Sequence, residues 1–498
     1  MRLAELAAAH GIDAGQNAGL RGEAVVTGFA IDHRKVAPGT VFGAFPGARV
    51  NGEDFIPAAI AAGAVAVVAR PEARVDGALH LADPVPRRAF AHLAARFFTP
   101  VPATLVAVTG TNGKTSCVEM TRQLWRMSGH VAASIGTLGV TTPDESVSTG
   151  LTTPDIVSFL ANMAGLAREG VTHVAYEASS HGLSQYRNEG LRVAAGAFTN
   201  LSRDHLDYHA DMDDYFDAKM RMFTEVVADG GSAVIWADDE WSQPAALVAQ
   251  ARGLKVFSVG KAGADLKIVS CSPSVLGQDL EIAYEGITHK VRLPLIGAYQ
   301  VANALVSAGL VLTTGSDAGQ VFDAISRLQP VRGRLERAAI AQSGAPVYVD
   351  YAHTPDALEA AIAALRPHVS GKLITVFGAG GDRDTGKRAP MGAAAAAGSD
   401  MVIVTDDNPR GEDPAAIRAA VLAGAPGATE IGDRRAAIRA AIAAAGRSDI
   451  VLIAGKGHEQ GQIIGSGDKV RIVPFDDVAV ARECAAELAQ DPSGASRP

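Results

Sequence analysis

Chemistry is most concentrated in the run Gly110-Thr-Asn-Gly-Lys-Thr115. Two glycines let a backbone turn its N–H groups toward one point, and a helix start behind them adds a positive dipole end. Lys114 then reads as a ligand for the β and γ phosphates of a nucleoside triphosphate, and the Thr115 hydroxyl as a ligand for Mg²⁺. The loop is a variant, with two residues between Gly110 and Gly113 and Val108 where the common pattern has glycine. The plain alternative is a Gly-rich turn. Next, Tyr176-Glu-Ala-Ser-Ser-His-Gly182 follows an apolar run, so Glu177 falls at the carboxyl end of a strand. A carboxylate there suits Mg²⁺, which prefers oxygen ligands, and equally suits a cap for the next turn. The segment Asn200-Leu-Ser-Arg-Asp-His-Leu-Asp-Tyr-His209 packs two acids and two histidines into a loop; it reads as a ligand cluster or as an exposed polar loop. Lys219 follows on a helical stretch and by spacing alone is a surface lysine.

Further on, four polar motifs each follow a strand-like run. They are Asp350-Tyr-Ala-His-Thr-Pro355, Gly378-Ala-Gly-Gly-Asp-Arg-Asp384, Asp406-Asp-Asn-Pro-Arg410 and Gly455-Lys-Gly-His-Glu459. Any one could be a decorated turn. Four on one sheet edge form a site, since ligands of open parallel sheets bind at the carboxyl ends of the strands. Arg383 and Arg410 can each grip a carboxylate bidentately and Glu459 can accept from an ammonium, a set that suits a zwitterion such as an amino acid.

The elements behind these motifs are short apolar runs alternating with Ala-rich amphipathic stretches, the pattern of α/β units with parallel strands. A helix-then-strand unit spans Phe55 to Ala69, and Pro100-Val-Pro102 reads as a linker. The strand Ala103 to Thr109 opens a second unit, within which Leu266 to Leu295 alternates enough for an antiparallel patch. Gln329 to Arg334 reads as a second linker, followed by strands at Val347 to Val349, Leu373 to Phe377, Met401 to Val404 and Ile450 to Ile453. The expected domains are 1–101, 102–332 and 333–498: a small mixed α/β unit, a central phosphate-loop unit with a mostly parallel sheet, and a Rossmann-like α/β unit. That count suits 498 residues at roughly 150 per domain.

The formal charge of −9, with acids and bases interspersed, argues against a nucleic-acid partner. No run reaches the ~18 apolar residues of a membrane span, and Glu5 interrupts the start where a signal peptide needs an unbroken apolar stretch. Cys117, Cys271 and Cys484 are scattered and odd in number, as in a reducing compartment. The expectation is a cytoplasmic protein with no membrane partner and a disordered tail from Gln490.

In this order, the motifs resemble the Mur ligases, ATP-dependent amino-acid ligases of bacterial cell-wall synthesis. The resemblance covers nearly the whole chain. It rests on Gly110 to Thr115, Glu177 to His181, Ser202-Arg-Asp-His-Leu-Asp207 with Lys219, and Asp350-Tyr-Ala-His353. Asp407-Asn-Pro-Arg410 resembles the signature of the diaminopimelate-adding members. The resemblance implies a monomer whose three domains hold, in turn, the uridine nucleotide, ATP and the incoming amino acid. It implies that Gly110, Thr111, Asn112, Gly113, Lys114, Thr115, Ser116 and Gln300, with Arg334 and Asp350 from the third domain, bind ATP. It makes Lys114, Glu177, His205 and Lys219 catalytic. Thr115, Glu177, His205 and Lys219, the last carbamylated by CO₂, would hold two Mg²⁺ ions. Ile31, His33, Thr152, Thr153, Ser179, Gln185 and Arg187 would contact UDP-N-acetylmuramoyl-L-alanyl-D-glutamate. Arg383, Asp407, Asn408, Pro409, Arg410, Gly455 and Glu459 would form a pocket for meso-diaminopimelate.

The sequence departs from the family at His33, where Ser is usual, at Gln300 and Leu151, where Asn is common, and at Ser116, where Thr is usual. Within the class, the alternatives are a lysine-adding relative, which Arg410 argues against, and a folylpolyglutamate synthase, which the first-domain pattern argues against. Outside it stand an ATP-hydrolysing switch protein, which would have no need of four zwitterion-ready loops, and a dead scaffold, which the intact phosphate loop opposes.

Overall fold

The computed structural model describes residues 1–8, 23–47, 50–142, 144–147, 152–274 and 277–490. Three sheets succeed one another along the chain. The first has four parallel strands side by side: β1 (Gly28–Ala30), β2 (Thr40–Gly43), β3 (Ala64–Ala69) and β4 (Leu79–Ala82). The helix Pro86–Phe97 then turns Phe90, Leu93 and Ala94 inward.

The central sheet contains β5 (Thr104–Thr109), β6 (Ala132–Gly136), β7 (Gly139–Thr141), β8 (Ser146–Val147), β9 (His173–Glu177), β10 (Val193–Phe198), β11 (Val227–Trp236), β12 (Lys255–Gly260), β13 (Leu266–Ser274), β14 (Gly277–Tyr284) and β15 (Ile287–Leu293). Its order is β15-β14-β13-β12-β11-β10-β5-β9-β6-β7-β8. From β12 across to β6 the strands run parallel, and β13 to β15 form the antiparallel meander that the alternation suggests. Strand β5 is apolar on both faces because helices cover both, as parallel strands require. Its later neighbours lie on opposite sides, β9 on one and β10 on the other, so a crevice opens above its carboxyl end.

The third sheet comprises β16 (Glu336–Ile340), β17 (Pro346–Asp350), β18 (Leu373–Phe377), β19 (Met401–Val404), β20 (Thr429–Glu430) and β21 (Ile450–Ala454), ordered β16-β17-β21-β18-β19-β20. The four expected strands are β17, β18, β19 and β21. They are parallel, so their polar loops share an edge. A hairpin not anticipated from sequence, β22 (Gly461–Ile464) with β23 (Arg471–Pro474), closes over that edge through a bridge from Arg410 to Ile464. Two expectations, at Leu151 and in the tail beyond Gln490, lie outside the described residues.

Candidate functional site

The turn from β5 into the helix Lys114–Met127 needs its glycines. Gly110 has φ +145° and a Cβ there would sit 1.9 Å from Thr199 Oγ1; Gly113 has φ +89° and a Cβ would sit 2.5 Å from Asn303 Oδ1. The neighbouring strand ends clasp the loop. Asn112 N donates to Asn200 Oδ1 (2.8 Å), Thr199 Oγ1 donates to Asn112 O (2.6 Å), and Ser202 N donates to Thr111 Oγ1 (3.0 Å). Lys114 Nζ donates to the carbonyls of Gly110 (2.9 Å) and Thr111 (2.8 Å). Burial lowers its pKa, while Glu177 and Asp204 pull it back up.

A cavity of about 820 Å³ opens at this point between the central and third sheets. It is lined by the loop from Thr111 to Ser116 and by Thr152, Thr153, Glu177, Ser179, Arg187, His205, Lys219, Arg334, Asp350 and Arg383. Glu177, 2% exposed, is oriented by Thr137, whose N donates to Oε1 (2.7 Å) and whose Oγ1 donates to Oε2 (3.2 Å). Thr153 Oγ1 donates to the Glu177 carbonyl (3.0 Å), and Arg187 Nη1 donates to the Thr153 carbonyl (3.0 Å). Ser179 caps the short helix Ser180–Ser184. Gln185 bonds Arg187 through Oε1 and the Tyr208 hydroxyl through Nε2.

Lys219 is no surface lysine. It is 1% exposed, donates to Gly110 O (2.7 Å) and lies 4.3 Å from the centre of the Tyr215 ring. Burial, and secondly the like charge of Lys114, push its pKa well below that of an ordinary lysine. His205 adopts φ +56° and stands edge-on to His181, ring centres 4.9 Å apart. Burial holds its pKa at about 4, with Asp204 opposing. Oxygen donors dominate this wall: Thr115 Oγ1 and the Glu177 carboxylate, with His205 supplying a nitrogen. Among the described residues no three His, Cys, Asp or Glu side chains stand close enough to hold a metal. The oxygen donors of Thr115 and Glu177 fit an ion such as Mg²⁺, which takes one or two protein ligands and completes its shell with phosphate oxygens and water.

The third sheet contributes Arg334, whose Nη2 donates to Thr115 Oγ1 (3.1 Å) and whose guanidinium covers the Tyr351 ring at 4.5 Å. Asp350 accepts from Leu335 N (2.7 Å) and Ala352 N (2.8 Å), so it shapes the linker as well as lining the cavity. Gln300 does not line the cavity; it is 1% exposed, and its amide donates to Arg334 O (3.1 Å). Asn303, one helical turn on, lines it instead.

Beside the cavity, the loops after β18, β19 and β21 interlock. Arg410, at φ +50°, donates through Nη1 to Gly381 O (2.8 Å), and Gly381 N donates to Asn408 O (2.9 Å). Asn408 Nδ2 donates to Glu459 Oε2 (2.8 Å). Pro409 sits between Asn408 and Arg410, and Gly455 is favoured by its φ of +114°, with a Cβ there also lying 2.5 Å from Asp407 Oδ2. Burial, then the nearby charge of Arg383, lowers the pKa of Arg410, so two guanidinium groups share this corner. Ile31 and His33 are not brought to the cavity. His33 stacks on Phe55 in the first domain, ring centres 4.4 Å apart and planes 5° from parallel.

Sequence reasoning passed over Thr137, Tyr215, Lys456 and Arg434. Lys456, fully buried, donates to Asn408 Oδ1 (2.9 Å) and Glu459 Oε2 (3.0 Å). Tyr215 carried a signal in its four-residue spacing from Lys219 on a helix, and Lys456 in its place within the polar motif Gly455 to Glu459.

A phosphate loop at the switch point of one sheet, facing a carboxylate- and ammonium-ready edge of another, defines an enzyme that couples nucleotide cleavage to joining an amino acid. Family models match all three units: residues 25–98 the Mur ligase family catalytic domain, 108–311 the Mur ligase middle domain, and 333–457 the Mur ligase glutamate ligase domain. The UDP-N-acetylmuramoyl-L-alanyl-D-glutamate–2,6-diaminopimelate ligase of Zymomonas mobilis is 60% identical over 458 residues, covering 92% of this chain and 94% of that protein. A solved structure of a ligase with the same name superposes with TM-score 0.68 at 35% identity, covering 93% and 95% of the two chains. A Mycobacterium tuberculosis folylpolyglutamate synthase complexed with ADP shares the fold, with TM-score 0.62 at 21% identity over 74% of this chain and 91% of that one. The chain belongs to the Mur ligase family, whose members are ATP-dependent ligases.

Proposed function

We propose that this enzyme forms the amide bond between UDP-N-acetylmuramoyl-L-alanyl-D-glutamate and meso-diaminopimelate in peptidoglycan synthesis, as a cytoplasmic monomer. The observation that carries the reading is the corner beside the phosphate-loop cavity where Arg410, held on Gly381 O, and Glu459, held on Asn408, stand on interlocked loops, with Arg383 lining the cavity. Residues 1–101 hold the uridine nucleotide, with Ile31 and His33 in contact. Residues 102–332 hold ATP and the dipeptide, the latter on Thr152, Thr153, Ser179, Gln185 and Arg187. Residues 333–498 bring the amine.

The acceptor carboxylate attacks the γ-phosphorus, the bond to the bridging oxygen breaks, and ADP leaves an acyl phosphate. The neutral amine then attacks the acyl carbon, phosphate leaves, and a proton is lost. Two anions meet in the first step, so Lys114 on the phosphates supplies the charge that lets them approach. Thr115, Glu177, His205 and a carbamate on Lys219 would hold two Mg²⁺ ions, which would supply further positive charge toward the phosphates. A lysine with a depressed pKa is neutral often enough to attack CO₂, losing a proton as it becomes the carbamate anion. The test is ligation with ATP, the muramoyl dipeptide and a panel of amino acids, read by product mass. Meso-diaminopimelate should be preferred over L-lysine by about 10⁴-fold, because lysine leaves the paired guanidinium groups without a carboxylate. Arg410→Ala should narrow that gap, and equal use of lysine by the unaltered enzyme would overturn the reading.

A further inference from the structure

The helix Pro86–Phe97 begins with two arginines, Arg87 and Arg88, and no acid in its first turn. Positive charge is unfavourable at a helix N-terminus, so this placement needs a reason. Arg88 has one: it pairs with Glu189 of the central domain at 3.2 Å, as His92 does at 3.4 Å. Arg87 has no carboxylate within 4.0 Å among the described residues. Its guanidinium lies 4.9 Å from the centre of the Phe45 ring and spends one donor on Pro46 O (3.2 Å). The Arg88–Glu189 contact docks this helix start on the loop carrying Arg187, two residues before Glu189. Arg187 also lacks a carboxylate within 4.0 Å among the described residues; it is held on Gln185 Oε1 and Thr153 O and lines the cavity.

We propose that Arg87 and Arg187, delivered by different domains, jointly seat the glutamyl carboxylate of the acceptor that does not react. The inference rests on the acceptor assigned above. That acceptor ends in a residue with two carboxylates, of which one becomes the acyl phosphate. The other remains an anion beside the reaction centre, and the guanidinium of Arg187 on the cavity wall, with that of Arg87 near it and neither matched by a carboxylate, is its natural partner. Burial and then Arg187 disfavour the charge on Arg87, the cost that a shared anion removes. The pair would also fix which carboxylate faces ATP, since the seated one cannot reach the phosphate.

Titration calorimetry of the acceptor and its two singly amidated forms, on the unaltered enzyme and on Arg87→Gln, tests this. One amide should bind the unaltered enzyme about tenfold or more weakly than the parent, as expected when a charge-assisted hydrogen bond is lost. Arg87→Gln should weaken the parent by a similar factor and leave the affinity for that amide unchanged. Equal weakening of the parent and both amides would place Arg87 on the diphosphate and overturn the proposal, as would an unchanged affinity for the parent. Failure of the unaltered enzyme to bind the parent would instead refute the acceptor assignment itself.

Discussion

Replacing Asp477 by Ala should unlock the amine-side loops from a distance. Arg434 and Asp477 are both fully buried. Arg434 Nε donates to Asp477 Oδ1 at 2.8 Å and Nη2 to Oδ2 at 2.7 Å, and the same guanidinium holds Ala454 O (2.9 Å) and Asp406 O (3.3 Å). Those two carbonyls belong to the residues just before Gly455 and Asp407, so one side chain pins the loops after β21 and β19. Asp477→Ala leaves a buried guanidinium with two carbonyls and no counter-charge, which costs about 3–5 kcal/mol. At about 1.4 kcal/mol per factor of ten, amide protection in Ile450–Ala454 should fall by about 10²- to 10⁴-fold in hydrogen-exchange mass spectrometry. The KM for the amino acid should rise, while ATP binding on the central sheet stays as it was. The double variant Arg434→Met with Asp477→Leu removes both charges and should recover most of the protection, because an apolar pair of similar volume replaces the ion pair at little cost. A loss of protection below tenfold in Asp477→Ala would refute the reasoning.

Lys114→Ala should abolish ligation with an unchanged circular dichroism spectrum, since it removes a phosphate-facing charge and no apolar contact; near-normal turnover would take the loop out of the mechanism. Lys219→Arg should be nearly inactive, because arginine keeps its positive charge and forms no carbamate, whereas Lys219→Ala should regain part of its activity with small added carboxylates. A fully active Lys219→Arg enzyme would exclude the carbamate. His173, against Trp125 and His130 (ring centres 5.0 and 4.0 Å away), is held by burial at a pKa of about 4 against an ordinary 6.5. The unfolded chain takes up this proton first, so the stabilisation is complete above about pH 6.5 and is lost as pH falls toward 4. The tryptophan-monitored thermal midpoint should therefore fall more steeply between pH 7 and 4.5 in the unaltered protein than in His173→Phe, and parallel curves would contradict the assignment.

What the sequence made legible was local. Apolar runs such as Leu373–Phe377 and Ile450–Ala454, each ending in glycine and polar residues, announce parallel strands and the edge at which their loops gather. The alternation in Ile287–Leu293 likewise gives away the meander. The hairpin Gly461–Pro474 gave no such signal, because β23 is exposed along its whole length and has no buried face to set a period. Arg434 and Asp477 are 43 residues apart and sit in motifs of no local distinction, so only the folded chain joins them. Spacing also could not tell which amide of the helix Ala298–Thr313 meets the cavity. Gln300 and Asn303 are one turn apart, and their rotation against β5 and Arg334 decides it.

The two seams of the molecule differ in kind, and that difference sets the order of events. One buried cluster runs unbroken from Phe29, Phe90 and Leu93 of the first domain to Phe159, Leu160 and Met163 of the central one. Each such side chain resists exposure by about 1.5–3 kcal/mol, so the first domain and the central one with its phosphate loop are held as one body. The third domain has its own cores on the two faces of its sheet and meets the central one with little more than Ile296 and Tyr299 packed against it. Its other ties are polar: Arg334 on Thr115, Gln300 on the Arg334 carbonyl and Tyr299 on Asp350, all partly buried, with Arg203 3.8 Å from Asp384, this last the exposed kind of contact that contributes about 1 kcal/mol or less. A seam held mainly by polar contacts would let the third domain swing on the linker 329–334, as expected where closure assembles a catalytic site. Arg334 lies on that linker and touches the phosphate loop. On the proposed assignment, an amine brought in by such a hinge would arrive at an acceptor already seated between the other two domains, where the acyl phosphate would form shielded from water until the nucleophile closes over it.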